Sequence, residues 1–372
     1  MKALILGHYG GRNFGDELML AGLVRLLRRK QSVAIRIQTP DGSVSEGLRQ
    51  LGVEQGYGKS PAAILKGLFW ADTVVLGGGT IFHDAYPDER YRGYWRNLLL
   101  LSLIFALARI LGRHVSLAGI GVGPLRRRRT KAFTTLLKWS AHDISVRDRQ
   151  SADDLALLPG GRDKVRVAAD LSAFADIEPA GQVAHGTGKV IGLSLVPPEV
   201  VSGAEPGEVG AFYAALGDHL AGALASGAID SVILFSANVG KDSDLPVAAQ
   251  MTDLLATRAS QVEHVRFDGD PVIFVQRLAE CTQVLAARYH VAIAASTLNV
   301  PTLWLAYQRK VMDAAPAYGA APADIFNLAA LCREDDRRGD LFARIGQANA
   351  GGAASPRERA WIDPTSALLG AG

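Results

Sequence analysis

The sequence predicts an α/β fold: two Rossmann-like, doubly wound domains facing each other across a cleft. Short apolar runs ending in turn residues recur along the chain, stretches of helical period alternate with them, and one small, polar stretch near the middle interrupts the alternation. Alternation of this kind implies a parallel sheet covered by helices on both faces. A length of 372 residues exceeds what one hydrophobic core usually supports, so two domains are expected.

The first strand is expected at residues 3–6, followed by G-H-Y-G-G-R-N-F-G-D-E and a helix at 18–29. Gly7, Gly10, Gly11 and Gly15 permit tight turning and close approach of a ligand, but they match neither G-x-G-x-x-G nor the Walker pattern. Asp16 and Glu17 fall in the first helical turn, where they complement the macrodipole themselves and make that helix end a poor phosphate site. A self-capping βα turn and a sugar or nucleotide contact through Asn13 and Asp16 fit this spacing equally. A second strand is expected at 32–38 and a third at 73–76, with the turn-rich 40–58 assigned no element. The third strand ends in Gly77, Gly78, Gly79 and Thr80, a place where side chains would obstruct a ligand or a neighbouring helix. His83, Asp84, Tyr86, Asp88, Arg90, Tyr91, Arg92 and Tyr94 follow, a mixture that suits a sugar-facing loop and an exposed helix start equally.

Residues 98–108, bracketed by Arg96 and Arg109, form the longest apolar run, and it is well short of the about 20 that a membrane helix needs. A buried helix is expected there. A strand at 115–118 leads into G-I-G-V-G-P, and a basic run of Arg126, Arg127, Arg128, Arg129 and Lys131 opens the next helix. The strand at 144–146 delivers Arg147, Asp148 and Arg149, and Ser151 with Asp154 resembles a capping box. Arg147 could clamp a carboxylate or phosphate through two parallel hydrogen bonds, or pair structurally with Asp148. After a strand at 165–168 ending at Asp170, the aperiodic residues 176–188 read as a linker, so the first domain is 1–175. The second, 189–348, has strands at 190–195, 231–235, 264–267, 283–285 and 301–305, with helices near 209–225, 245–258 and 272–279. A Gly/Ala-rich tail, 349–372, contains Trp361, which is expected to dock.

Composition narrows the function. With 48% hydrophobic and 21% charged residues the chain is globular and neither fibrous nor disordered. The net charge is +3, and the one dense basic run lacks interleaved aromatics, so it reads as a solvated helix start and no nucleic-acid partner is expected. Contact of that run with an anionic membrane surface or a lipid-linked substrate stays open. Cys281 and Cys332 are too few for a disulfide framework or a zinc cluster, and no metal-ligand spacing occurs. Met1 leads straight into a strand without a signal peptide, so the protein is expected in the cytoplasm, with peripheral contact to the inner face of the membrane left open.

The stretch 287–310 holds the most concentrated site signal: Arg288 and His290 follow an apolar strand, a short helix reaches Thr297, and a second apolar strand leads toward Lys310. Ligands bind at the carboxyl ends of strands in open α/β sheets, so this reads as a site for an anion. The order of G-x-x-G-x-x-N-x-G-D-E at 7–17, G-G-G at 77–79, G-I-G-V-G-P at 119–124, S-V-R-D-R-Q-S at 145–151, Asp170 through Phe174, and R-Y-H with V-P and lysine at 288–310 resembles the polysaccharide pyruvyl transferase family. The resemblance implies a GT-B-like fold and transfer of pyruvate from phosphoenolpyruvate to a sugar as a ketal, with no cofactor. It implies a donor pocket of Arg147, Arg288 and Lys310 and a catalytic His290, set in the cleft, with Asn13, Asp16, Gly78, Gly79 and Asp84 on the acceptor side. The stretch from Asp170 to Phe174 lacks the proline of the family's D-P-x-F form. A nucleotide-sugar glycosyltransferase and a non-catalytic glycan-binding protein of the same fold are the alternatives. Ketal formation needs a proton delivered to the methylene carbon, and an imidazole of intermediate pKa suits that step.

Overall fold

Each half of the alternating pattern closes into its own parallel sheet. A computed structural model describes residues 1–30, 32–84, 88–160, 163–177, 188–240, 242–347 and 365. Within these residues the chain divides into two compact units, the first holding Met1–Gly11 and Asp16–Asp176, the second Arg12–Gly15 and the chain from Ile177 through Gln347. Most of the expected linker and tail, including Trp361, lies outside the described residues, as does Tyr86.

The first unit's strands are β1 (Lys2–Leu6), β2 (Ala34–Gln38), β3 (Val53–Tyr57), β4 (Thr73–Gly77), β5 (Thr80–Phe82), β6 (His114–Val122), β7 (Asp143–Val146) and β8 (Val165–Val167). Among the described residues they form an eight-stranded sheet in the order β3-β2-β1-β4-β6-β7-β8, with β5 paired to β6. Its helices are α1 (Phe14–Lys30), α2 (Glu46–Gln50), α3 (Pro61–Trp70), α4 (Asp88–Ile110), α5 (Arg128–Ser140) and α6 (Arg149–Ala156). All five residues of β4 are buried, as the near-continuous apolar reading of a central parallel strand requires. Val74, Leu76, Val115, Leu117 and Ile144 from the sheet pack with Leu68, Leu98, Phe105 and Leu137 from α3, α4 and α5.

The second unit contains β9 (Val190–Ser194), β10 (Ser231–Ser236), β11 (Val262–Arg266), β12 (Gln283–Ala286), β13 (Thr302–Ala306) and β14 (Ile325–Asn327), in the order β11-β10-β9-β12-β13-β14. Its helices are α7 (Pro206–Ser226), α8 (Leu245–Leu254), α9 (Pro271–Leu278), α10 (Tyr289–Thr297), α11 (Arg309–Ala314), α12 (Leu328–Arg333) and α13 (Asp335–Arg344). Every pairing in both sheets is parallel. Each sheet grows outward on one side, then returns to add its fourth main strand beside its first. The points of reversal lie between β1 and β4 and between β9 and β12, and there the strand ends leave a crevice for ligands.

Three local expectations are corrected. Residues 40–58 contain α2 and β3; β3 carries V-E-Q-G-Y with its middle facing solvent, an edge strand that its composition does not advertise. The cap of α6 is Asp148, which accepts from the Ser151 N–H at 2.7 Å, whereas the Ser151 hydroxyl accepts from the Val122 N–H of β6. The apolar run at 98–108 is helical, but Leu100 and Leu103 are 55% and 50% exposed, so only one of its faces is buried.

Candidate functional site

At the reversal of the first sheet, the loop after β1 meets the glycines after β4. Gly77 abuts Leu23 and the Tyr9 hydroxyl, which donates to the Gly77 carbonyl at 2.7 Å. Gly78 and Gly79 adopt φ of +62° and +76°, a region that a β-carbon disfavours. A β-carbon on Gly78 would also press within 2.9 Å of Met19, whereas one on Gly79 would meet its nearest atoms, the Asp16 Oδ1 among them, only at 3.8 Å. Burial pushes the Asp16 carboxyl up to about 7; the Arg147 charge opposes the shift and the Asp170 charge reinforces it. Glu17 is occupied differently, its carboxylate accepting from the Gly10 N–H and closing the loop onto α1.

Arg147 leaves the end of β7 with its side chain 8% exposed. Its guanidinium donates to Asp170 at 3.2 Å and to the Thr80 hydroxyl at 2.7 Å, and lies 3.6 Å from Asp148. Asp170 is buried and caps the short 3-10 turn Leu171–Phe174. Arg147 is thus a brace between β7, β5 and that turn. Asp84 also has structural partners: its carboxylate accepts from the backbone N–H of Arg126 and of Arg127 and from the Thr130 hydroxyl, holding the start of α5. The Tyr94 hydroxyl donates to the Ile81 carbonyl, and the Tyr91 hydroxyl bonds Thr130, so these two rings stitch α4 to its surroundings.

The second unit gathers the other expected residues. Arg288 follows β12 and opens α10; its Nε donates to Asp244 at 2.8 Å, and Nη2 donates to Asp244 and to the Asp242 carbonyl. Asp244 is buried and accepts from the N–H groups of Ala237 and Asn238. Desolvation raises the Asp244 pKa, against the lowering effect of Arg288. Nothing in the sequence singled out Asp244, which precedes Leu245-Pro246 and reads as an ordinary helix start.

His290 lies two residues beyond Arg288, inside α10, and packs on Gly15, where a β-carbon would come within 2.1 Å of Nδ1. Gly15 is held in place because segment 12–14 adds to the second unit's backbone: Phe14 N–H donates to Ala237 at 2.8 Å and Val239 N–H to Arg12 at 3.0 Å. The Phe14 ring inserts against Phe267 and Phe274. The Asn13 side chain accepts from the Gly15 N–H at 3.0 Å, fixing the same turn. Lys310 is exposed in the first turn of α11, which follows β13, the strand beside β12. The structure therefore brings Asn13, Gly15, Arg288 and His290 together in the second unit, and Asp16, Gly78, Gly79 and Arg147 in the first. Among the described residues, no group of three or more histidine, cysteine, aspartate or glutamate residues is arranged to hold a metal ion.

The family model of polysaccharide pyruvyl transferases matches residues 13–309. The chain belongs to that family. No curated protein is similar enough in sequence to be matched. Among solved structures, the UDP-GlcNAc 2-epimerase of Methanocaldococcus jannaschii is 12% identical, covering 98% of this chain and 95% of its own, with a TM-score of 0.60. The Neisseria meningitidis UDP-GlcNAc 2-epimerase bound to UDP-GlcNAc is 13% identical, with 96% and 95% covered and a TM-score of 0.56. Anabaena HepE in complex with UDP is 14% identical, with 98% and 97% covered and a TM-score of 0.56. These likenesses establish a GT-B-like pair of Rossmann-like domains, and the family establishes a sugar-modifying transferase.

Proposed function

We propose that this pyruvyl transferase moves the pyruvyl group of phosphoenolpyruvate onto two hydroxyls of a sugar, forming a pyruvate ketal and releasing phosphate. The observation that carries the reading is the family match, because it takes in Asn13, Arg147, Arg288 and His290 and ends one residue short of Lys310. The donor is assigned to the second unit. There Asp244 and Asp242 engage Nε and both N–H groups of Nη2 of Arg288, and Nη1 takes the donor carboxylate. Lys310 serves the phosphate as a flexible point charge. The acceptor is assigned to the first unit, where Gly78 lets Met19 of α1 approach, Gly79 keeps the strand end clear of a side chain and Asp16 receives a hydroxyl proton. Arg147, expected as a donor contact, is reassigned to positioning, since its partners fix β7 and set the charge around Asp16.

In the reaction His290 protonates the methylene carbon of phosphoenolpyruvate, leaving an oxocarbenium-like centre at the carbon bearing phosphate. One sugar hydroxyl adds to that carbon, the C–O bond to phosphate breaks, and the second hydroxyl closes the ring. Two hydroxyl protons are released; one restores the imidazole, and the other, received by Asp16, passes on to the released phosphate, which leaves as hydrogen phosphate. The charges of donor and products balance without an added cofactor.

Similar structures solved with UDP or UDP-GlcNAc favour one further reading, a glycosyltransferase acting on a nucleotide sugar. A screen of phosphoenolpyruvate against nucleotide sugars and lipid-linked saccharides separates the two. Acceptor-dependent release of inorganic phosphate is expected. Release of nucleoside diphosphate from a nucleotide sugar without phosphoenolpyruvate would replace the proposal with the glycosyltransferase, and saccharide binding with neither release would leave a binding protein.

A further inference from the structure

The outward face of α4 and α5 in the first unit is apolar where solvent should be. The window Gly93–Ile110 is long and apolar enough to cross a membrane, yet only 28% of it is buried. Leu98, Ser102, Phe105 and Ala108 recur at helical spacing on the buried side, so α4 is seated on its own sheet and does not span. Leu100, Leu103 and Ile110 are 55%, 50% and 74% exposed, and Trp139 of the adjoining α5 is 60% exposed. Scattered exposed leucines are ordinary, but several on one pair of packed helices mark an interaction surface.

Beyond the Asp88 and Glu89 that open α4, charge along these elements is basic. Between Glu89 and Asp143 the sequence holds eleven arginines and lysines and no aspartate or glutamate, in a chain whose net charge is +3, so the remainder is net negative. Two of these cations have inward duties: Lys138 donates to the carbonyls of Leu155, Leu158 and Gly160, and Arg127 lies over the Tyr91 ring. Arg126, Arg128, Arg129 and Lys131 are exposed at the start of α5. Arg96 and Arg129 both approach the Trp95 ring, which stacks with Phe133, and so join the basic end of α5 to α4.

We propose that the α4–α5 face docks on an anionic lipid bilayer. Leucine, isoleucine and tryptophan side chains would enter the boundary between headgroups and acyl chains, while the long basic side chains reach lipid phosphates. A second copy of the chain fits poorly, because a two-fold contact would set the same basic cluster against itself. Nucleic acid would leave the leucine surface without a counterpart. Such docking would bring the protein to membrane-borne acceptors, but it does not depend on which group is transferred.

Flotation of the purified full-length protein with vesicles tests this directly. The protein should float with phosphatidylcholine vesicles containing phosphatidylglycerol, stay behind with phosphatidylcholine alone, and detach at high salt. Leu103→Glu should weaken binding about tenfold or more with an unchanged melting temperature, and the triple change Arg128→Gln, Arg129→Gln, Lys131→Gln should weaken it and flatten its salt dependence. Absence of flotation, equal flotation with both vesicle types, or full binding by Leu103→Glu would overturn the proposal. So would a concentration-dependent dimer in sedimentation that Leu103→Glu dissociates, which would give the face to a second copy.

Discussion

The two units use the same device at different distances from the point where their sheets reverse. In each, an arginine leaves a strand end just before a helix and meets a buried aspartate, Arg147 with Asp170 and Arg288 with Asp244. Arg147 follows β7, two strands removed from β4; its side chain is 8% exposed and is gripped by Thr80 as well. Arg288 follows β12, directly beside β9 at the reversal, is 18% exposed, and shares its turn with His290. The same residue type at the same kind of strand end is therefore tied to β5 and the 3-10 turn in the first unit and to Asp242 and Asp244 in the second, where the proposed function gives it the donor carboxylate. What separates them is the strand they follow and their exposure, 8% for Arg147 and 18% for Arg288. The titratable groups at the two reversals differ as well, a carboxyl in the first unit and an imidazole in the second.

The largest expected effect tests the second unit. His290→Ala should lower acceptor-dependent phosphate release by at least about 10³-fold, roughly 4 kcal/mol in the barrier, with an unchanged melting temperature. Retention of most of the rate would remove the proton donor from the scheme. Gly15→Ala should mimic part of this loss, because the added methyl displaces the ring that packs on Gly15.

An identical substitution in both units sharpens the contrast. Arg147→Lys should destabilise the protein by about 3 kcal/mol, because lysine cannot reach Thr80 and Asp170 together and leaves the buried carboxylate poorly paired. Its KM for phosphoenolpyruvate should change little. Arg288→Lys should instead raise that KM about tenfold, since the planar fork is lost, and cost less stability. Thermal melts beside steady-state kinetics decide the matter; a raised KM in Arg147→Lys would return that residue to the donor pocket.

Much of this was legible in the sequence. Continuous apolar strands such as T-V-V-L before Gly77 announce parallel sheets, and A-R-Y-H announces the placement of Arg288 and His290 at a strand end, by composition alone. The partners did not announce themselves. Asp244 lies 44 residues from Arg288, and only the fold brings them together. Asp84 has the polarity of a sugar contact and holds a helix start, and Asn13 fixes a turn, because a short polar side chain reads alike in both roles. Nor does spacing reveal that segment 12–14 adds its backbone beside Ala237 and Val239, since such bonds carry no side-chain signature.

A further effect concerns the carboxyl at the first unit's reversal. Burial raises Asp16 from the usual carboxylate range to about 7, so in the folded protein it keeps its proton to higher pH than in the unfolded chain. Between those two values the folded state binds more protons, and stability must fall as pH rises. From pH 5 to pH 7 the loss attributable to this one group is about 2 kcal/mol, and Asp16→Asn, which cannot ionise, should lack that slope. Denaturant melts of both proteins across that range measure the difference. The same substitution should remove the rise in transfer rate through pH about 7 that appears when Asp16 ionises to accept a hydroxyl proton. A variant that lost the stability slope but kept the rate profile would leave Asp16 a buried acid of the fold and move the acceptor's proton to another group.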